Sequence, residues 1–176
     1  MRIRIATPQD ADEVRGVHRS AFPEGEGGII AKLAVDLLSL ETTPQTVSLV
    51  AEVDGVVVGH VAFSPVAIDS TVDFQGYILA PLAVRPDYQK RCIGSRLVES
   101  GMQRLTDMGV GILFVYGDPK YYHRFGFRVE VAKGYVPACP LRYPLGWQAI
   151  VLRDSGVKTA PARIACVPSL SDPALW

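Results

Sequence analysis

The sequence predicts an α/β fold with a mixed, mostly antiparallel central sheet flanked by helices. Two observations carry this expectation. Two β-branched apolar runs, "TVSLVAEV" and "VVVGHVAFSPVAI", face each other across Asp54 and Gly55, a dipeptide suited to the left-handed turn of a hairpin. A strand–helix–strand unit follows: "GYILAPLAV" at 76–84, an amphipathic stretch from residue 92, and "ILFVYG" at 112–117. Hairpins beside one parallel crossover make the sheet mixed, and helices with one apolar side must cover its faces.

The elements follow in order. Residues 2–6, "RIRIA", alternate charged and apolar side chains, the period of a half-buried strand. Thr7 is placed to cap the next helix, with Pro8 at its first position, where the missing N–H costs nothing. In that helix Ala11, Val14, Val17, His18, Ala21 and Phe22 share one face, so His18 reads as a packed, hydrogen-bonded side chain. "PEGEGG" (23–28) reads as a Gly-rich acidic loop, and a second helix is expected over 29–40. After the hairpin and a short polar connection comes the strand at 76–84. In the following helix Ile93, Leu97, Val98, Gly101, Leu105 and Met108 line the apolar side, opposite Arg96, Glu99, Gln103 and Asp107. Gly109 and Gly111 provide its stop. "DPKYYHRF" then reads as a short helix capped by Asp118 with Pro119 first, and "GFRVE" as a strand. "GWQAIVLRD" suggests a further strand, and "TAPARIACVPSLSDPALW" a Pro-punctuated tail that wraps the surface. Without repeats or linkers the chain is expected to be one domain, a core over 1–130 with C-terminal strands and tail over 131–176.

The 18 basic and 18 acidic residues cancel, and no basic, aromatic-interleaved surface is readable, so nucleic acid is not an expected partner. The N-terminal "MRIRIATPQD" is a strand and helix start, not a signal peptide, and no apolar run approaches the roughly 20 residues that span a bilayer. The three cysteines, Cys92, Cys139 and Cys166, are far apart in sequence without C-x-x-C spacing, which fits a reducing compartment. A soluble cytoplasmic protein, without membrane contact or metal, is the expectation.

The segment carrying chemistry is "VRPDYQKRCIGSRL", 84–97, where a strand hands over to a helix. Consecutive backbone N–H groups at a helix N-terminus, with Lys90 and Arg91 beside them, suit an anion such as phosphate. An ordinary solvated helix start has the same residue types. No G-x-x-x-x-G-K-[ST] or G-x-G-x-x-G is present, so neither a P-loop nor a dinucleotide fingerprint applies.

At these residues the sequence resembles the GNAT superfamily of N-acetyltransferases. Its motif follows Val-x-Pro with Gln/Arg-x-x-Gly-x-Gly/Ala; Val84, Pro86, Gln89 and Gly94 match, and Cys92 stands where the first glycine is usual. A second block, "GDPKYYHRFGF", is similar to the family's closing helix, which ends in Tyr-x-x-x-Gly-Phe, with Tyr122, Gly126 and Phe127 matching. The resemblance covers residues 2–130 and extends to a bacterial subgroup of predicted acetyltransferases. It implies the GNAT (acyl-CoA N-acyltransferase) fold and acetyl-CoA as acyl donor. The pyrophosphate would lie on the amides of Lys90, Arg91, Cys92, Ile93, Gly94 and Ser95. The pantetheine arm would pair like a strand with Leu82, Ala83 and Val84, where a bulge splays the sheet. The reaction implied is direct attack of a neutral amine on the thioester. Val84 or a neighbour would offer a backbone N–H to the carbonyl, and Tyr122 would act as general acid for the departing thiolate. Tyr121 packs or lines the site.

The base stays open among His60, Glu24, Glu26 and His18; Glu24 and Glu26 would also suit a cationic acceptor. The acceptor is a primary amine of a small molecule or a protein. A non-catalytic acyl-CoA-binding regulatory module is the alternative, favoured by Cys92 and disfavoured by Tyr122. Cys92 itself is expected in helical backbone with its side chain turned to the sheet or a pocket edge, either an inert buried thiol or a reactive one. The apolar, Pro-rich tail is a candidate homodimer contact.

Overall fold

The computed structural model describes residues 1–68, 76–153 and 161–176. β1 (Arg2–Ile5) leads through a 3-10 turn (Pro8–Asp10) into α1 (Ala11–Ala21) and α2 (Glu26–Ser39). The hairpin of β2 (Val47–Val53) and β3 (Val56–Ile68) follows, then β4 (Gly76–Val84), α3 (Ile93–Asp107) and β5 (Ile112–Tyr116). Short helices α4 (Pro119–Tyr122) and α5 (Val129–Ala132) precede β6 (Tyr135–Val136), β7 (Trp147–Val151) and β8 (Ala162–Cys166). Strand order is β1-β2-β3-β4-β5-β7, with β8 paired to β3 and β6. The β1–β2, β2–β3, β3–β8 and β5–β7 pairs are antiparallel, and β4–β5 and β6–β8 are parallel. This is the mixed, mostly antiparallel sheet expected from the sequence.

The chain forms two compact units. The first comprises Met1–Phe63 and Ala80–Gly101. Its core gathers Ala6, Val14, Val17, Ala34, Val50, Val57 and Ala83, so the apolar stripe of α1 packs as its periodicity requires. Asp54 (φ 51°) and Gly55 (φ 80°) make the left-handed hairpin turn. The Arg4 guanidinium grips both Asp10 oxygens (2.7 and 2.8 Å) and Glu52 (3.0 Å), tying β1 to the first turn and to β2. Beside Arg4 the Asp10 carboxyl is held well below the usual carboxylate range. α3 seats directly on β3, because Gly59 and Gly101 leave room. A Cβ on Gly59 would lie 3.0 Å from Leu97 Cδ1, and one on Gly101 would collide with the Phe63 ring. The second helix begins at Glu26, before the expected residue 29. Pro23 O accepts from the N–H groups of Glu26 and Gly27, and Gly27 lies so close to the end of α1 that a Cβ would be 3.2 Å from Arg19 O. Gly27, read as loop, is thus a packing device.

The second unit comprises Ser64–Leu79 and Met102–Trp176. Phe114 on β5 stacks on Trp147 of β7 (5.1 Å between centroids), and Tyr135 meets Phe114 edge-on. Here several expectations fail. "GFRVE" is not a strand: the chain turns at Gly126 (φ 94°), Arg128 alone exchanges hydrogen bonds with Ala149, and α5 follows. The C-terminal segment is not merely a wrapping tail. Its "ARIAC" forms β8, with alternating burial, before two 3-10 turns. Met108 lies past the end of α3 and is exposed. The polar connection at 69–75, the strand end at Asp154 and the tail residues Thr159 and Ala160 lie outside the described residues.

Candidate functional site

Within the first unit the candidate cradle starts in β4. The β4–β5 ladder ends at Leu79 opposite Val115. Pro81 lies just beyond, and with no N–H it cannot donate to a ladder. The backbone of Leu82, Ala83 and Val84 follows, with Ala83 buried in the core and Leu82 and Val84 half-buried. A proline inside an apolar strand is the sequence signal for a place where ladder pairing stops.

Arg85 then locks the exit from β4: its N–H donates to Val58 O (2.8 Å) and its Nε to Val57 O (3.0 Å). After the 3-10 turn Pro86–Tyr88, the Gln89 side chain donates back to Val84 O (3.0 Å). The motif glutamine therefore closes its own loop. Lys90 and Cys92 both adopt left-handed backbone, φ 61° and 59°. Left-handed residues in so short a loop turn successive N–H groups toward one point, an arrangement that binds anions. α3 follows, and its first bond to this loop runs from Arg96 N to Cys92 O (3.0 Å). The N–H groups of Ile93, Gly94 and Ser95 precede that bond and lack intrahelical acceptors. Ile93 is buried and anchors the helix start, Gly94 and Ser95 are half-buried, and Lys90, Arg91 and Cys92 are exposed. The Arg91 guanidinium stands over the Tyr88 ring (5.2 Å).

The structure corrects the expectation for Cys92. Its backbone is left-handed, not helical, and its thiol is exposed, not turned inward or buried. Glycine is the usual residue here for a physical reason, since an L-residue in this conformation costs roughly 1–2 kcal/mol.

Tyr122 belongs to the second unit. Asp118 caps α4, its Oδ1 accepting from Lys120 N (2.9 Å), and Pro119 takes the first helical position, as expected. The helix ends through a 3-10 turn at Gly126. The half-buried Tyr122 ring lies against Gly117, where a Cβ would collide with it, and meets Phe127 and Tyr121 edge-on (5.7 and 5.0 Å). Burial, with Tyr121 adding to it, pushes the phenol well above the usual tyrosine range, so it keeps its proton at neutral pH. No hydrogen bond engages its hydroxyl among the described residues. Tyr121 packs on Phe125 and beneath the Arg124 guanidinium.

The base candidates divide. His18 and His60 are fully buried in the first unit and joined in a chain: Ser48 Oγ to His60 Nε2 (2.8 Å), and His60 Nδ1 to His18 Nε2 (2.8 Å). His18 also stacks on Phe22. Burial lowers His18 to about 4 and His60 well below the usual histidine value. Both are neutral core groups without access to a substrate, as the apolar stripe implied for His18. Glu24 and Glu26 are exposed at the start of α2. Among the described residues no cluster of His, Cys, Asp and Glu could hold a metal, and no helix is long and apolar enough to cross a membrane.

The acetyltransferase (GNAT) domain family matches residues 44–129, a span that holds the hairpin, the 82–95 segment and Tyr122. The uncharacterized N-acetyltransferase YjhQ of Escherichia coli is 36% identical over 143 residues, covering 80% of this chain and 75% of YjhQ. YhbS of the same organism is 38% identical over 130 residues, covering 73% and 74%. The crystal structure of E. coli YhbS in complex with CoA aligns with a TM-score of 0.81 at 30% identity, over 96% of this chain and 90% of that one. A GNAT family acetyltransferase from Brucella melitensis in complex with acetyl-CoA aligns at 0.69 and 32% identity, over 96% of each. The chain belongs to the GNAT family of N-acetyltransferases.

Proposed function

We propose that this chain, as one cytoplasmic acetyltransferase domain, transfers the acetyl group of acetyl-CoA to a primary amine of a small molecule or a protein. The observation that carries the reading is the loop before α3, with left-handed backbone at Lys90 and Cys92 and the free amides of Ile93 to Ser95. An anion at a helix N-terminus gains from these amides and from the helix dipole, and Lys90 and Arg91 add charge. The solved relatives that hold CoA and acetyl-CoA support pyrophosphate as that anion. The end of β4 at Leu82, Ala83 and Val84, which lies beyond the ladder with β5, suits the amides of the pantetheine arm.

In the reaction the amine nitrogen bonds to the thioester carbon, the carbon–sulfur bond breaks, and the thiolate takes a proton from Tyr122. The raised pKa of Tyr122 keeps that proton available at neutral pH. A backbone N–H at the end of β4, at or beside Val84, polarises the carbonyl. With His18 and His60 committed to the core, the amine proton leaves to water or a carboxylate. Glu24 and Glu26 suit attraction of a cationic acceptor.

The test is thiol release from acetyl-CoA across an amine panel, with the acetylated product identified by mass. Release above the amine-free rate with at least one amine is expected. Binding of acetyl-CoA without release for any amine favours the second reading, a non-catalytic acyl-CoA-binding module. The left-handed, strained Cys92 is the observation that favours that reading.

A further inference from the structure

Gln148 stands in the otherwise apolar run "WQAIV" of β7, and it is fully buried. It pairs with Val115 of β5, one rung before the ladder ends at Tyr116 and Trp147. Its Nε2 reaches past that end and donates to Gly117 O (3.1 Å) and Gly146 O (3.4 Å). Gly117 N also donates to Gly146 O (3.0 Å), so Gly117 is tied to the start of β7 through both its N–H and its carbonyl. Among the described residues no backbone N–H donates to Gly117 O, which leaves Gln148 as its donor. The two carbonyls fix the orientation of the amide, because the reverse would set its oxygen against them. Gln148 Oε1 is then buried with no hydrogen-bond partner among the described residues. An unpaired buried oxygen costs stability, a cost that an apolar side chain would not carry. Stability alone therefore does not explain a glutamine here, whereas its hold on Gly117 does.

That hold reaches Tyr122 by two routes. The Tyr122 ring lies against Gly117, where a Cβ would collide with Cε2 of the ring. The carbonyl that Gln148 engages belongs to the peptide leading into Asp118. Asp118 O in turn accepts from Tyr121 N (3.0 Å) and Tyr122 N (3.1 Å) at the start of α4. No hydrogen bond engages the Tyr122 hydroxyl among the described residues, so the seat of the ring fixes its place.

We infer that Gln148 is a positioning residue, which acts through Gly117 to set the Tyr122 hydroxyl for proton delivery to the departing thiolate. This rests on the reading of Tyr122 as the acid. Gln148 is itself buried and meets no reacting atom. A displacement of about 1 Å at a reacting group can slow a reaction by about 100-fold.

The test compares Gln148→Met and Gln148→Glu with the natural chain, each labelled with carbon-13 at the tyrosine Cζ. Tyr122→Phe identifies the Tyr122 signal. Gln148→Met keeps the volume and loses both donated bonds. Its kcat is expected to fall about tenfold or more, with acetyl-CoA affinity within about twofold, and its Tyr122 signal to move. In Gln148→Glu the introduced carboxyl is buried beside two carbonyl oxygens, which raises its pKa. Protonated, it donates one bond to Gly117 O; ionised, it donates none. The kcat of this variant relative to the natural chain should fall at least about fivefold from pH 6 to pH 9, with acetyl-CoA affinity steady. Its Tyr122 signal should match the natural chain at pH 6 and depart at pH 9. Should Gln148→Met fail to fold, Gln148→Glu at the two pH values carries the test. A Tyr122 signal unmoved in Gln148→Met, or in Gln148→Glu at pH 9, would overturn the positioning, whatever the amine panel shows. A loss of kcat matched by a loss of acetyl-CoA affinity, or a relative kcat flat with pH, would reduce Gln148 to a structural residue. Absence of transfer to any amine contradicts the acid reading of Tyr122, and the Tyr122 signal then decides the positioning separately.

Discussion

The 89–95 loop and the chain of Ser48, His60 and His18 are both polar regions of the first unit, and they differ in which atoms are left free. In the loop the side chains are spent or solvated: Gln89 bonds to Val84 O, and Lys90 and Arg91 are exposed. The backbone N–H groups of Lys90 to Ser95 have no backbone acceptor among the described residues. In the chain the reverse holds, since three side chains bond to one another and all are buried. A titratable side chain at a β-sheet centre here marks structure, while candidate function rests on N–H groups that no residue name advertises. The distinguishing coordinate is φ, positive at Lys90 and Cys92, and not residue type.

This contrast is breakable by substitution. The largest effect belongs to Tyr122→Phe, which removes the proposed acid. Its kcat is expected to fall about 10²-fold or more, near 2.7 kcal/mol on the barrier, with acetyl-CoA affinity unchanged in calorimetry. Because burial raises the phenol pKa, the natural chain should show no alkaline loss of kcat from this group below about pH 10. His60→Gln, by contrast, should leave kcat unchanged and lower stability. An equal loss of kcat in His60→Gln would move that histidine out of the structural class.

Ser48→Ala leaves a buried His60 ring nitrogen without its partner, and a stability loss of about 1–3 kcal/mol by chemical denaturation is expected. Acidification reads the same chain. Both histidines have folded pKa values below their unfolded value, so their contribution is complete above pH 6.5 and is lost as pH falls toward about 4. Within that window stability should drop by up to about 1.4 kcal/mol per pH unit for each proton that only the unfolded chain takes up. Asp10, whose pKa is also lowered, adds its loss at still lower pH. A flat stability between pH 6.5 and 4 would contradict neutral burial of the pair.

Cys92→Gly has the smallest expected effect. Relief of left-handed strain should raise stability by about 1 kcal/mol. Acetyl-CoA affinity should change by less than about 1.4 kcal/mol, a factor of ten. A variant that binds a hundredfold tighter would show that the natural cysteine disables the cradle, and the non-catalytic reading would lead.

Much of this was legible in sequence where the signal is local. The Asp54 and Gly55 turn, the apolar run at 76–84 and the face of α3 each carry their own periodicity, and the structure agrees with them. β8 was not legible, because five alternating residues between prolines look like a tail until β3 supplies a partner. "GFRVE" misled in the opposite direction: its alternation is real, but only Arg128 meets β7. At the candidate site the motif located 89–95 and Tyr122. It could not give the backbone conformation at Cys92, nor the Ser48 partner of His60, which depends on register between β2 and β3.

The central claim is that the backbone of 90–95 holds the phosphates of acetyl-CoA, and calorimetric titration tests it most directly. The expected dissociation constant is micromolar or tighter, about −8 kcal/mol or better. Acetyl-pantetheine, which lacks the nucleotide and its phosphates, should bind at least about 100-fold more weakly, a difference near 2.7 kcal/mol. No heat and no thermal stabilisation at millimolar acetyl-CoA, or equal affinity for the two compounds, would contradict the account.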